Sequence, residues 1–264
     1  MIIDCHTHIY PEKIAQKAVQ SIGQFYGIAL NGLQGTPDDL IRTADAAGVD
    51  QCLVFSAAVD GAHVRVINDF VIRTVQAHPD RFIGFGTLHP DLEDPESELR
   101  YMLEHGLKGV KLHPDMQRFA LSEARADKLY SVCEGVCPMM VHTGDRRYQY
   151  SNPGQIAEVL KKHPKMRFIC AHLGGWSEWE AAMECLLDTD VLVDCSSSFR
   201  FLGMEKSREM ILRYGEDRVL FGSDYPVFNM KDELETLREM DLGDAFLEKV
   251  YSRNLLDLIS TVHA

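Results

Sequence analysis

The sequence predicts an α/β protein in which eight strand–helix units close into one (β/α)8 TIM-type barrel over residues 1–264, with a helical insertion after the first strand. Three observations point there. Strand-length runs rich in Val, Ile, Leu and Phe occur at Ile2–Cys5, Gln51–Phe55, Phe82–Thr87, Gly109–Leu112, Met139–Val141, Arg167–Ala171, Val191–Cys195 and Arg218–Gly222. After the first, they recur at roughly 30-residue intervals, the length of a βα unit with its loops. They are almost continuously apolar, as expected of parallel strands covered on both faces.

The first run leads into Asp4-Cys5-His6-Thr7-His8, and the gap that follows is long, about 50 residues from run to run. Tyr10–Gly35 is therefore an insertion, with a helical start at Pro11–Val19 and an aromatic Phe25-Tyr26-Gly27. On the face where the loops after strands gather, residues 10–35 are either a lid or a surface excursion. Thr36-Pro37-Asp38-Asp39 then supplies a cap, a first-turn proline and two acids, and Gly48 closes that helix. His78-Pro79 reads as a helix stop before the third strand. Asp94-Pro95-Glu96 opens a helix closed by Gly106, and Ser122 opens one closed by Gly135. Asn152-Pro153 opens the next, with Lys161, Lys162 and His163 in its last turn before Pro164. Ser177–Leu187 and Met204–Tyr214 fill the following gaps, Lys231–Met240 follows the last strand, and Ala245–Ile259 forms a terminal helix. A doubly wound open sheet is the rival, but no glycine-rich phosphate loop follows the first strand.

The net charge is −13 and no basic run occurs, which argues against nucleic acid or an anionic membrane as partner. With 45% hydrophobic and 25% charged residues the chain is ordinary for a globular protein. No signal peptide precedes Met1 and no apolar run approaches the roughly 18 residues of a membrane span. Seven cysteines, an odd number, then read as reduced thiols in a cytoplasmic protein. Cys133 and Cys137 lack the second pair a zinc knuckle needs. A homodimer is compatible with this reading.

Barrel chemistry sits at the carboxyl ends of strands. Six of the 11 histidines are there: His6, His8, His89, His113, His142 and His172, while His63, His78, His105, His163 and His263 fall elsewhere. On one strand His6 and His8 face the same way. His6, His8 and His142 supply three imidazoles and Asp224, after the eighth strand, a carboxylate, a set suited to Zn²⁺, with Mn²⁺ as the alternative. Such an ion would make a bound water available as hydroxide, Asp224 or His172 taking its proton and His172 protonating the leaving group. Lys111 and His113 share a face at the end of the fourth strand. Arg146, Arg147 and Arg200, in loops after the fifth and seventh strands, either fork onto a substrate carboxylate or lie in solvated loops.

Asp4-Cys5-His6-Thr7-His8, Val141-His142-Thr143-Gly144, Ala171-His172-Leu173-Gly174-Gly175 and Phe221-Gly222-Ser223-Asp224-Tyr225-Pro226 resemble the amidohydrolase superfamily. The likeness is to the amidohydrolase-related branch that includes aminocarboxymuconate-semialdehyde decarboxylase and resorcylate-type decarboxylases. Tyr251-Ser252-Arg253-Asn254-Leu255-Leu256 resembles that branch's closing helix. The resemblance implies a metal held by His6, His8, His142 and Asp224, with His172 as acid/base. Binuclear members bridge two metals through a carboxylated lysine on the fourth strand. Lys111 could be that bridge, a substrate-carboxylate partner or a core lysine paired with an acid, and one metal is expected. The reading is a metal-dependent hydrolase acting on a small carbonyl compound such as an amide or lactone. The alternative is a non-oxidative decarboxylase of a carboxylated aromatic or unsaturated acid, using the same residues. A barrel that binds a ligand without catalysis is the third option.

Overall fold

A computed structural model describes residues 1–30 and 32–262. His263, read as a tail histidine, lies outside them. The eight expected strands are present as β1 (Ile3–His8), β2 (Gln51–Phe55), β3 (Phe82–Gly84), β4 (Val110–Leu112), β5 (Met139–Val141), β6 (Phe168–Cys170), β7 (Leu192–Asp194) and β8 (Val219–Leu220). All pair in parallel, in the orders β1-β2-β3 and β4-β5-β6-β7-β8. Single bridges, Gly86 to Val110 and Thr7 to Tyr225, join the two groups into a closed ring. At the first join a side chain on Gly109 would sit 2.7 Å from the Pro138 carbonyl and from the Phe85 ring, so only glycine fits.

Alternation along the strands sorts the core. Leu53, Phe55, Met140, Ile169 and Leu220 pack with Ile3 and Cys5 in one buried cluster, capped by Leu255 and Ile259 from the C-terminal helix. Their strand neighbours Cys52, Val54, Met139, Val141, Phe168, Cys170 and Val219 pack outward in a second cluster that includes helix residues. In β1 the register against β2 slips by one residue between Asp4 and Thr7. This bulge lets Cys5 stay with the inner cluster while His6 and His8 also reach the Phe55 ring, at 5.3 and 4.9 Å.

The insertion is more helical than the sequence suggests. Its helix α1 runs Glu12–Tyr26, past the expected end at Val19, because Ile22 and Gly23 continue the buried face begun by Ala15 and Val19. Gly27, at φ 65°, ends it. α2 (Pro37–Ala47) has its Thr36 cap and Gly48 stop as expected. α3 (Val64–Ala77) occupies the gap for which the sequence marked only the His78 stop. Two short helices, Pro114–Gln117 and Phe199–Leu202, were not anticipated. The terminal helix is interrupted by a π-turn at Lys249–Arg253. All seven cysteines are free, and six are buried. Among the described residues no helix is long and apolar enough to cross a membrane.

Candidate metal centre

β1 and β8 bring the first donors together. Asp224 takes a left-handed backbone (φ 63°), fixed by its N–H donating to the His6 carbonyl at 2.9 Å. Its Oδ1 lies 3.3 Å from His8 Nε2 and 3.4 Å from His6 Nε2, and Ser197 Oγ donates to Oδ2 at 2.6 Å. His6, His8 and Asp224 form one of the groups able to hold a metal ion. His142 is not in that group and instead lies near Asp115 and Asp145.

A polar network decides which nitrogens carry protons. Ser196 Oγ donates to Asp194 Oδ1, so it can only accept from His172 Nδ1, at 2.9 Å; the Ser196 carbonyl accepts from the same nitrogen at 3.1 Å. Nδ1 of His172 is therefore an N–H, which leaves the neutral ring's Nε2 to accept from His142 Nδ1, 3.0 Å away. His142 Nε2 is then a buried lone pair, and it has no hydrogen-bond partner. His6 Nδ1 likewise donates to Asp194 Oδ2 at 2.9 Å, and its Nε2 accepts from Lys111 Nζ at 3.2 Å. These unprotonated nitrogens beside a carboxylate fit a divalent ion: the donors are neutral imidazoles in the form that ligates, and one is orphaned without a cation.

Electrostatics agree. Burial, with the Lys111 charge, pushes His6 down to about 4, and burial lowers His8, His142 and His113. Burial alone would raise the carboxyls of Asp194 and Asp224, but the facing His6 and His172, with His8 at Asp224, hold both well below the usual carboxylate range.

A cavity of ≈ 340 Å³ opens beside these groups. His8, His113, His142, His172 and Asp224 line it, and α1 covers it with Ala18, Ile22, Phe25 and Tyr26. His113 stacks on His142 at 4.2 Å and 6°, and its Nε2 lies 2.8 Å from the Tyr26 hydroxyl. Arg147 binds Asp145 through Nε and Nη2 at 2.9 and 2.7 Å and donates from Nη1 to the Phe25 carbonyl at 2.6 Å. It thus ties the loop after β5 to the end of α1. Arg146 and Arg200 are exposed and do not line the cavity. Lys111 is fully buried, 4.7 Å from the Phe55 ring centroid, also off the cavity wall. His89 is buried and its Nε2 faces the Gln117 carbonyl at 3.3 Å.

Sequence reasoning missed Asp194 and Ser196, although Asp194 lies within the seventh run and ends β7. It also missed Asp115 and Arg118 on the cavity wall, while Tyr26 was named only within the aromatic stretch of the insertion.

A family model described as Amidohydrolase matches residues 3–256. A curated 2-amino-3-carboxymuconate-6-semialdehyde decarboxylase of Dictyostelium discoideum is 24% identical over 233 residues, covering 69% of this chain and 64% of that protein. The chain thus spans a little under two thirds of that relative's length. Among solved structures, an uncharacterised TIM-barrel protein of Bordetella bronchiseptica superposes with a TM-score of 0.76 at 19% identity, covering 98% of each chain. A dihydroxybenzoic acid decarboxylase from Polaromonas sp. JS666, with bound manganese and the inhibitor 2-nitroresorcinol, gives 0.74 at 18% identity, covering 98% of this chain and 96% of that one.

Proposed function

This chain belongs to the amidohydrolase family of metal-dependent enzymes, and from that premise we propose that it is a non-oxidative decarboxylase of a small carboxylated aromatic or unsaturated acid. The observation that carries the reading is His172, which lines a cavity walled by rings and apolar side chains, Phe25, Ile22, Ala57 and Met116 among them, with Nδ1 held by Ser196 and Nε2 facing His142. An apolar wall suits a flat substrate that loses its charge as CO₂ leaves. The curated decarboxylase relative supports the same direction. Hydrolysis, placed first on the motifs alone, moves to second for that reason.

His6, His8, His142 and Asp224 would hold one divalent ion, manganese or zinc, in the single domain formed by residues 1–264. Bound there, the ion supplies positive charge that neutralises and orients an acidic substrate. Asp194 fixes His6 directly and holds His172 through Ser196. To act as the acid, His172 first takes a proton from solvent on Nε2, giving up its contact to His142, and delivers it to the carbon that bears the carboxylate. The new C–H bond forms there, the C–C bond breaks, and its electron pair returns to the ring as CO₂ departs. His172 then regains a proton from solvent.

The test is a panel of hydroxylated benzoates, carboxylated dienes, lactones and amides offered to protein loaded with Mn²⁺ or Zn²⁺. CO₂ release from an acid, without lactone or amide cleavage, is expected. Cleavage of a lactone or amide with no CO₂ from any acid would reinstate the hydrolase.

A further inference from the structure

We propose that α1 is a gate: it swings from a stem at Tyr10 and Gly35 to admit molecules to the cavity, and Tyr26 and Arg147 latch its far end shut. The need for a moving part comes from burial. His8, His142 and His172 line the cavity yet are only 8, 3 and 2% exposed, so whatever reaches them must displace something. α1 roofs the cavity with Ala18, Ser21, Ile22, Phe25 and Tyr26, which follow one another at the three- and four-residue spacing of a single helix face.

Three features make α1 the part that moves. The chain enters and leaves the insertion at one place, where the Tyr10 N–H donates to the Gly35 carbonyl at 2.8 Å and the Gly35 N–H to the Tyr225 hydroxyl at 3.1 Å. Gly35 takes φ 71°, and a Cβ there would lie 2.9 Å from Val19 and 3.1 Å from Tyr10, so the stem is tight and needs glycine. From the stem, α1 runs 15 residues to Tyr26, about 22 Å at the helical rise. Among the described residues, the backbone hydrogen bonds of Glu12–Tyr26 also stay within the insertion, so neither a strand nor a barrel loop is bonded to the helix main chain to main chain. Its apolar contact is small and separate: Ile22 packs with Val227 and Phe228, apart from both barrel clusters. A segment with so few buried contacts opens at a lower free energy than the barrel.

The latch lies at the other end and runs through side chains. Arg147 Nη1 donates to the Phe25 carbonyl at 2.6 Å. Its guanidinium carbon sits 4.9 and 5.2 Å from the Phe25 and Tyr26 ring centroids on the gate, and 5.3 and 5.5 Å from those of Tyr148 and Trp176 on the barrel loops. The Tyr26 hydroxyl meets His113 Nε2 at 2.8 Å, and His113 stacks on His142. A closed gate thereby holds His113 against His142 as well as shutting out solvent.

The test uses Tyr26→Phe, which removes the hydroxyl and keeps the ring that packs on Phe25 and Trp176. Hydrogen exchange of the whole protein, read by mass spectrometry, should rise about three- to tenfold in Glu12–Tyr26, the scale of one hydrogen bond, and stay unchanged in Pro37–Ala47. Arg147→Ala, which removes the other latch, should act in the same direction, and melting curves check that both variants fold. Only the second probe rests on the proposed metal set: Mn²⁺ uptake, and Mn²⁺ release into excess EDTA, should both quicken by a similar factor, with affinity changed less than either rate. Unchanged exchange in α1, or an equal rise in Pro37–Ala47, would overturn the gate. So would faster exchange in α1 with Mn²⁺ rates that do not move. A protein that takes up no Mn²⁺ counts against the metal set, and exchange alone then decides the gate.

Discussion

His172 and His142 meet nitrogen to nitrogen: Nε2 of the first is 3.0 Å from Nδ1 of the second. One proton serves that contact, and because His172 is committed through Nδ1 to Ser196, it resides on His142. The contact therefore sets the form of a candidate ligand and of a candidate acid together.

Removing the acid should spare the metal. His172→Asn is expected to retain divalent ion while turnover falls by about 10²- to 10⁴-fold, whereas His8→Ala should lose both. Metal content by mass spectrometry, beside turnover, checks the pair. Full activity in His172→Asn would remove the residue from its role.

Asp194 should matter without touching substrate. It holds His6 Nδ1 at 2.9 Å, so Asp194→Asn is expected to weaken metal affinity by about 10- to 100-fold in a competition with a chelator. An unchanged affinity would show that His6 is oriented by something else.

Arg147 links the loop after β5 to α1 through the Phe25 carbonyl. Arg147→Ala should speed hydrogen exchange in Glu12–Tyr26 and raise KM by about tenfold, with little change in kcat. Exchange rates identical to the parent would mean that α1 is held by its apolar face alone.

Glu233 gives a stability prediction with a definite sign. Burial first, then the nearby Asp224, Asp4 and Asp232, push its carboxyl up to about 8, and its Oε2 has no partner. Between an unfolded value of about 4.3 and that folded value, the native state binds the extra proton. Stability from this group is thus lost as pH rises through that window. Glu233→Gln should leave the melting temperature nearly unchanged at pH 4 and raise it at pH 9. The gain at pH 9 should be a few kcal/mol, at about 1.4 kcal/mol for each pH unit between the two pKa values. An equal gain at both pH values would show that packing, not ionisation, is responsible.

Strands and strand-end histidines were legible because each is a local property: an apolar run, a period, a residue type at the run's end. The full α1 was less so, since nothing before Gly27 distinguishes a helix ending at Val19 from one ending at Tyr26 except the tertiary surface that Ile22 and Gly23 meet. The partner of His6 was not legible at all, because Asp194 is 188 residues away and only barrel closure brings it within 2.9 Å.

The ring of strands is joined at two places by single bridges, and one of them, Thr7 to Tyr225, lies where β8 meets β1. His6 and His8 belong to the three-strand arc, while His142 and Asp224 belong to the five-strand arc. An ion gripping all four would act as a clasp across that seam, so the reagent of the chemistry would also lock the scaffold.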